Sequence, residues 1–325
     1  MPQPAPVLVE VRRGEVVESR HRGSLILLDP DGSVGVSAGD PDATIYPRSC
    51  LKPLQAAAML GEGFGGPDES VALACASHDA EDVHVAGVRA ILSAAGLDES
   101  ALQCPPDLPA NRAAMTAWLQ AGGAPASVCH NCSGKHAAMV ATCAASGWPV
   151  GPYREPAHPL QVAARATVER LCGEPVRATS VDGCGAPAYA VSLAGLARAY
   201  ARLATAPEGT SEARVRTAMQ AQPHLVGGTG RAVTAFLAGV PGLICKDGAE
   251  CVWGAALPDG RAFAVKADDG GSRALPALLS AALAHWGIDS PVVAEWAALD
   301  VLGGGAPVGA VTWSATLRDL LALPS

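Results

Sequence analysis

The stretch "YPRSCLKPLQAAAML" sets Ser49 three residues before Lys52 and places Pro53 directly after the lysine. Proline is accommodated in the first turn of a helix, where its missing N–H would have had no partner. The apolar run from Leu51 to Leu60 reads as that helix, so Pro53 puts its start at about Ser49. A hydroxyl then stands at the positive end of the helix dipole, with an amine one turn on and on the same side. That is the layout of a nucleophile and its base. An acyl-transfer serine needs a group to take its proton and donors to hold the oxyanion, and a helix start offers free N–H groups, that of Ser49 included. Lys52 can take the proton only when neutral, so its pKa must fall from about 10.4 through desolvation or nearby positive charge. The plain alternative is an N-cap serine followed by a solvated lysine.

Two later segments bring thiols. "CHNCSGKHAAMVATC" puts Cys129, Cys132, Lys135 and His136 at the beginning of a helix expected from about Gly134 to Ala145. "SVDGCGAPAYAVSLAGLARAY" puts Asp182 and Cys184 in a glycine-flanked turn before a helix expected to open at Pro187. Both readings place a thiol at a helix N-terminus, a setting that favours the thiolate, the form that binds metal. Cys132 and Cys184 make half of a Zn²⁺ site, and Lys135, one turn from Cys132, adds a third ligand if its amine is neutral. No second Cys-x-x-Cys follows at structural-zinc spacing, so a closed zinc ribbon is not indicated. His130 and His136 fit metal distances on paper, but a histidine near a helix start is more often a cap or a core residue. Asp182 either stabilises its turn or binds an ammonium group. Ser77 in "ACASHDAED" reads as a helix cap, and Lys246 in "ICKDGAE" as a lysine on a strand edge, unless the fold gives them partners.

The elements that must position these groups follow from pattern and composition. From Val7 to Ser37 the chain alternates through "VLVEV", "VVES", "SLILL" and "SVGVS", with turns at Arg13-Gly14 and "DPDG", which is a β-meander. Helical periodicity runs from about Ser49 to Ala206. "CVWGAAL-PDG-RAFAVKA" is a further hairpin, followed by the helix "SRALPALLSAALAHW". The fold class expected is α/β: one antiparallel sheet built from both termini with flanking helices, and a helical lobe. We read residues 1–325 as a single enzyme domain, with the sheet lobe at about 1–48 and 225–325 and the helical lobe at about 49–224. The chain has 325 residues, 49% of them hydrophobic, enough for a large core. A formal charge of −8 argues against a polyanionic partner. The start "MPQPAPVLVE" lacks the layout of a signal peptide, and the longest apolar stretch is too short for a membrane span. A cytoplasmic protein with no nucleic-acid or membrane partner is expected. Of ten cysteines, Cys50, Cys75, Cys104, Cys143, Cys172, Cys245 and Cys251 read as small, reduced core residues.

Taken together, "YPRSCLKPLQAAAML", "CASHDAEDVH", "HNCSGKHAAMV", "YREPAHPLQ", "VDGCGAPAYAVSL" and "KADDGGSRA" resemble, in this order, the motifs of the Rhizobium etli-type (class 3) L-asparaginases. The resemblance runs from about Val7 to beyond Arg273 and implies a fold like that of serine β-lactamases and glutaminases. It implies two Ser–Lys pairs: Ser49 as nucleophile with Lys52 as base, and Ser77 with Lys246 relaying a proton to departing ammonia. It further implies a Zn²⁺ site on Cys132, Lys135 and Cys184, Asp182 and Arg48 on the substrate side, L-asparagine as substrate, and a homodimer. The sequence departs from the family's usual Ser-His-Ser-Gly-Glu at Asp79 and Ala80, and from its usual glycine at Cys251. Lys266 competes with Lys246 for the second pair. A glutaminase, a β-lactam-recognising enzyme of the same fold, and a non-catalytic amino-acid or zinc-binding protein are the alternatives.

Overall fold

A computed structural model describes residues 5–323. The first four residues of the "MPQPAPVLVE" start lie outside them. The chain divides into two compact units: one takes in residues up to Cys50, Val191–Ala204 and everything from Ala235 on, the other Leu51–Ala190 and Thr205–Thr234. The first unit holds the expected mixed α/β architecture. Its antiparallel sheet runs in the order Ala298–Gly303, Ala306–Trp313, Val7–Arg13, Val16–Leu28, Ala262–Ala267, Val252–Ala256, Ile244–Gly248, with Val34–Ala38 also paired to Val16–Leu28. Both ends of the chain feed this sheet, as the alternation at both ends implied. The stretches "VVES" and "SLILL" are one continuous strand whose first half is largely solvent-facing and whose second half is core.

Successive strand residues face opposite sides, and here each side has its helix. Trp253 donates its indole N–H to the Leu275 carbonyl at 2.6 Å, joining the sheet to the helix Leu275–His285. Its neighbour Gly254 faces the helix Leu193–Ala204, where any Cβ would lie 2.2 Å from the Tyr200 ring. The glycine makes room for the tyrosine.

The second unit is mainly helical. The helix Lys52–Gly61 is buried from Lys52 to Met59, as expected of a helix apolar on nearly every face. It packs against the helices Asp68–Cys75, Ser133–Ala145, Pro159–Cys172 and Ser211–Ala221. The α-helix begins at Lys52 with Pro53 in its first turn, and a 3₁₀ turn over Arg48–Leu51 precedes it. Ser49 therefore stands in that tighter turn.

The helix expected to open at Pro187 is instead the strand Pro187–Ser192, four of whose residues pair with Ala178–Val181 across the Asp182–Ala186 turn. The run Ala-Tyr-Ala-Val alternates and carries β formers, and a helix begins only at Leu193. Cys184 thus sits in a hairpin turn, not at a helix N-terminus. Cys132 is the N-cap residue of the helix Ser133–Ala145, as read. All ten cysteines are buried and none is in a disulfide. Among the described residues no helix is long and apolar enough to cross a membrane.

Candidate active site

In the helical unit, Lys52 is 1% exposed and its ammonium group reaches two oxygens, the Ala76 carbonyl at 2.5 Å and the Ser77 hydroxyl at 3.0 Å. Ser77 is 5% exposed and comes just after Ala76, the C-cap of the helix Asp68–Cys75. A buried serine–lysine contact is therefore present, and in its own unit the amine beside Ser77 is Lys52. The next residue ties this segment to the thiols. His78 N–H donates to the Asn131 carbonyl at 3.2 Å, and its ring meets the Ser133 hydroxyl at 2.9 Å. Because Nδ1 of His78 accepts from Ala80 N–H, its Nε2 carries the proton and donates to Ser133, which in turn donates to the Val128 carbonyl. Burial, then the neighbouring His84 and Lys52, pushes His78 well below the ordinary imidazole range. It is a neutral strut whose two partners flank Cys132.

At the thiols, Lys135 donates to the Cys184 sulfur at 3.2 Å, and the Cys132 thiol donates to the Asn131 side-chain oxygen at 3.2 Å. The neighbouring Cys132, aided by Lys135 and His136 and opposed by burial, drives Cys184 far below the usual thiol range. Cys184 in turn, with burial, raises Cys132. Burial opposes charge on Lys135, but Cys184, Cys132 and Asp182 outweigh it and raise the amine's pKa. The cluster is one thiolate, one thiol and one ammonium. Asp182 holds the turn by accepting from Gly183 N–H at 2.8 Å, and its carboxylate comes within 3.9 Å of the Cys184 sulfur.

His136 shows what the histidines do. The Tyr153 hydroxyl accepts from Gln103 N–H at 3.0 Å and lies 2.6 Å from His136 Nδ1. The tyrosine proton then belongs on the bond to Nδ1, which leaves the imidazole proton on Nε2. That atom is buried without a hydrogen-bond partner, while the ring as a whole acts on the Cys184 sulfur. His136 is thus held by Tyr153 through Nδ1 and carries its proton on an Nε2 that bonds no other group. His130 is used as a cap, its Nδ1 accepting from Cys132 N–H at 3.0 Å. Tyr153→Phe should cost about 1–3 kcal/mol, since it strands Gln103 N–H and His136 Nδ1 in the interior. Denaturant unfolding reads this, and a loss below about 0.5 kcal/mol would mean that water replaces the hydroxyl.

Among the described residues no three His, Cys, Asp or Glu side chains converge as a metal cage. The donor chemistry here is instead two sulfurs and an amine at one buried point. It suits a thiophilic divalent cation such as Zn²⁺, provided Cys132 and Lys135 give up their protons.

In the sheet unit, Arg48 adopts φ +54°, so Ser49 follows a left-handed residue. Tyr200, admitted by Gly254, donates to the Cys50 carbonyl at 2.8 Å, and the Cys50 thiol donates to the Lys246 carbonyl at 3.0 Å. The turn bearing Ser49 is thereby fastened to the strand Ile244–Gly248. The Lys246 side chain is fully buried, its ammonium group on the Asp247 carbonyl at 2.8 Å and on the Asp247 carboxylate at 2.5 Å. Lys266 stands on the strand Ala262–Ala267, bonds the Ala267 carbonyl, and lines a cavity of 260 Å³ with Ser24, Asp40 and Asp268. A cavity of 640 Å³ in the helical unit is lined by Phe64, Pro67, Ile91 and Ala141 among others and by no titratable group.

The sequence matches the L-asparaginase II family over residues 9–313. The chain belongs to that family. Membership agrees with the motif resemblance and makes the protein an amidohydrolase. No curated protein is significantly similar to it. A β-lactamase of Mycobacterium bovis is similar in structure, with 16% identity, 81% of this chain and 94% of that chain covered, and a TM-score of 0.45. A putative β-lactamase from Bacteroides dorei DSM 17855 shares 15% identity over 79% of this chain and 92% of its own, with a TM-score of 0.43. The protein Mglu shares 18% identity over 78% of this chain, with a TM-score of 0.42, and the chain spans 64% of its length.

For this family member the two motif departures take on meaning. Ala80 and Cys251 have φ +55°, in the left-handed region, where glycine is favoured and other residues cost about 1–2 kcal/mol. The family's usual glycines at these positions suit that backbone.

Proposed function

We propose that this amidohydrolase is an L-asparaginase that works through an acyl-enzyme on Ser49. Ser49 Oγ attacks the side-chain amide carbon of L-asparagine and gives its proton to neutral Lys52. N–H groups of the turn around Ser49 hold the oxyanion, and ammonia leaves with a proton passed through Ser77, with Lys246 assigned on sequence grounds as the second amine. Water then hydrolyses the β-aspartyl ester to aspartate. Arg48 and Asp182 receive the carboxylate and the ammonium of the substrate. The observation that carries this reading is the buried contact of Lys52 with Ser77, stitched by His78 to the turn of Cys132. It gives a lysine amine a dry setting and a hydroxyl relay, which general-base chemistry requires.

Cys132, Lys135 and Cys184 would hold Zn²⁺, which when bound supplies fixed positive charge beside the pocket and favours neutral lysines nearby. The protein is proposed to be a cytoplasmic homodimer. Ammonia and aspartate are expected from L-asparagine at a kcat/KM about tenfold or more above ammonia release from L-glutamine, since one methylene alters pocket fit by that order. Equal or faster turnover of glutamine would make it a glutaminase. Stable acylation by penicillin without amide turnover would make it a β-lactam-recognising enzyme, and no turnover of any of these would leave a binding protein.

A further inference from the structure

The segment His224–Arg231, "HLVGGTGR", belongs to no motif considered so far, yet it is bound along the whole of Ser77–Glu81. Ser77 N–H donates to the Val226 carbonyl at 3.0 Å and Asp79 N–H to the Gly227 carbonyl at 3.1 Å. Glu81 accepts from Thr229 N–H at 2.7 Å and from the Thr229 hydroxyl at 3.2 Å, and meets the His224 ring at 2.9 Å. Gly228 has φ +128°, and a Cβ there would lie 3.1 Å from the Glu81 carboxylate and 3.3 Å from Asp79. The left-handed backbone there favours glycine, and an added Cβ would press on both carboxylate residues. It ends on an ion pair, Arg231 to Asp79 at 2.5 Å, with the Asp79 side chain 8% exposed.

We propose that Asp79 and Arg231 are positioning residues that latch the His224–Arg231 strap onto the Ser77 segment and thereby fix the Ser77 hydroxyl against Lys52. Asp79 is a departure from the family's usual serine. A carboxylate buried to this degree must be paired, so this chain holds with an ion pair what a serine would hold with a hydroxyl. The strap also supplies the acceptor for Ser77 N–H, which pins the backbone from which the hydroxyl projects. The activity arm of the test rests on the asparaginase reading, and the exchange arm does not.

Arg231→Gln is expected to lower kcat for asparagine about tenfold to a hundredfold, the scale of a misplaced catalytic group, with KM changed by less than about twofold. Amide hydrogen exchange at Ser77 and Asp79 should quicken by about tenfold or more relative to the helix Asp82–Ala94. The decisive variant is the double Asp79→Ala/Arg231→Gln, which removes the unpaired buried charge and supplies no hydroxyl in its place. A latch predicts that it regains thermal stability but keeps the low kcat and the fast exchange. Wild-type kcat and exchange in the double variant would show that the pair only neutralises itself and would overturn the proposal. If Arg231→Gln fails to fold, Arg231→Lys keeps the charge and should recover most of the kcat, and the double variant still decides. A parent enzyme with no asparagine turnover would sink the asparaginase reading and leave exchange to judge the latch.

Discussion

Ser49→Ala is expected to reduce kcat for L-asparagine by about four orders of magnitude or more, the scale on which a covalent nucleophile is lost, with KM little changed. The substitution removes one oxygen and leaves the turn intact, because other groups hold that turn. Tyr200 grips the Cys50 carbonyl and the Cys50 thiol grips the carbonyl of Lys246. Arg48 keeps a left-handed backbone that costs about 1–2 kcal/mol and persists only where the surroundings over-determine it. The matched variant is Ser77→Ala. As a relay, Ser77 should matter less, about a hundredfold to a thousandfold, in line with the usual worth of a proton-transfer group. The structure also frames the rival assignment, since the hydroxyl 3.0 Å from Lys52 is that of Ser77. Near-normal turnover in Ser49→Ala with total loss in Ser77→Ala would exchange the two roles. Trapping the acyl-enzyme and locating the modified serine by mass spectrometry gives the same answer independently of rates.

Much of this was legible in the sequence where the cause is local. Pro53 marks the first turn of the helix that begins at Lys52, and the helix capped by Cys132 and the hairpin of Val252–Ala256 with Ala262–Ala267 follow from short-range pattern. Pro187 misled because a proline that opens a helix also stands well at the first position of a strand. The alternation in "AYAVS" was the signal that decides between them. Contacts with no local signature were not legible. Lys52 meets Ser77 across 25 residues, Tyr200 meets Cys50 across 150, and Arg231 meets Asp79 across 152. Each depends on tertiary register, which periodicity does not encode. The departures at Ala80 and Cys251 could be seen in the motifs, but their left-handed backbone could not.

Cys184→Ala is expected to have two large effects that separate the metal from the fold. The first is on binding: protein that carries about one Zn²⁺ per chain should retain almost none, because one of two thiolates is gone and second-site donors do not replace it. The second is on the chelator-treated protein, where Cys184 is the anion that receives the Lys135 ammonium at 3.2 Å. Lys135 is 2% exposed, and removing its partner strands a buried charge at a cost of about 3–5 kcal/mol. The double variant Cys184→Ala/Lys135→Met should recover most of that cost, since the charge itself is then absent. Elemental analysis reads the first effect and denaturant unfolding the second. Zinc retained in Cys184→Ala would move the metal elsewhere in the chain, and a parent that takes up no zinc on addition would end the metal proposal altogether. Unfolding of the chelator-treated variants would still report whether a thiolate and an ammonium stabilise each other in this interior, the arrangement into which a cation must displace two protons to bind.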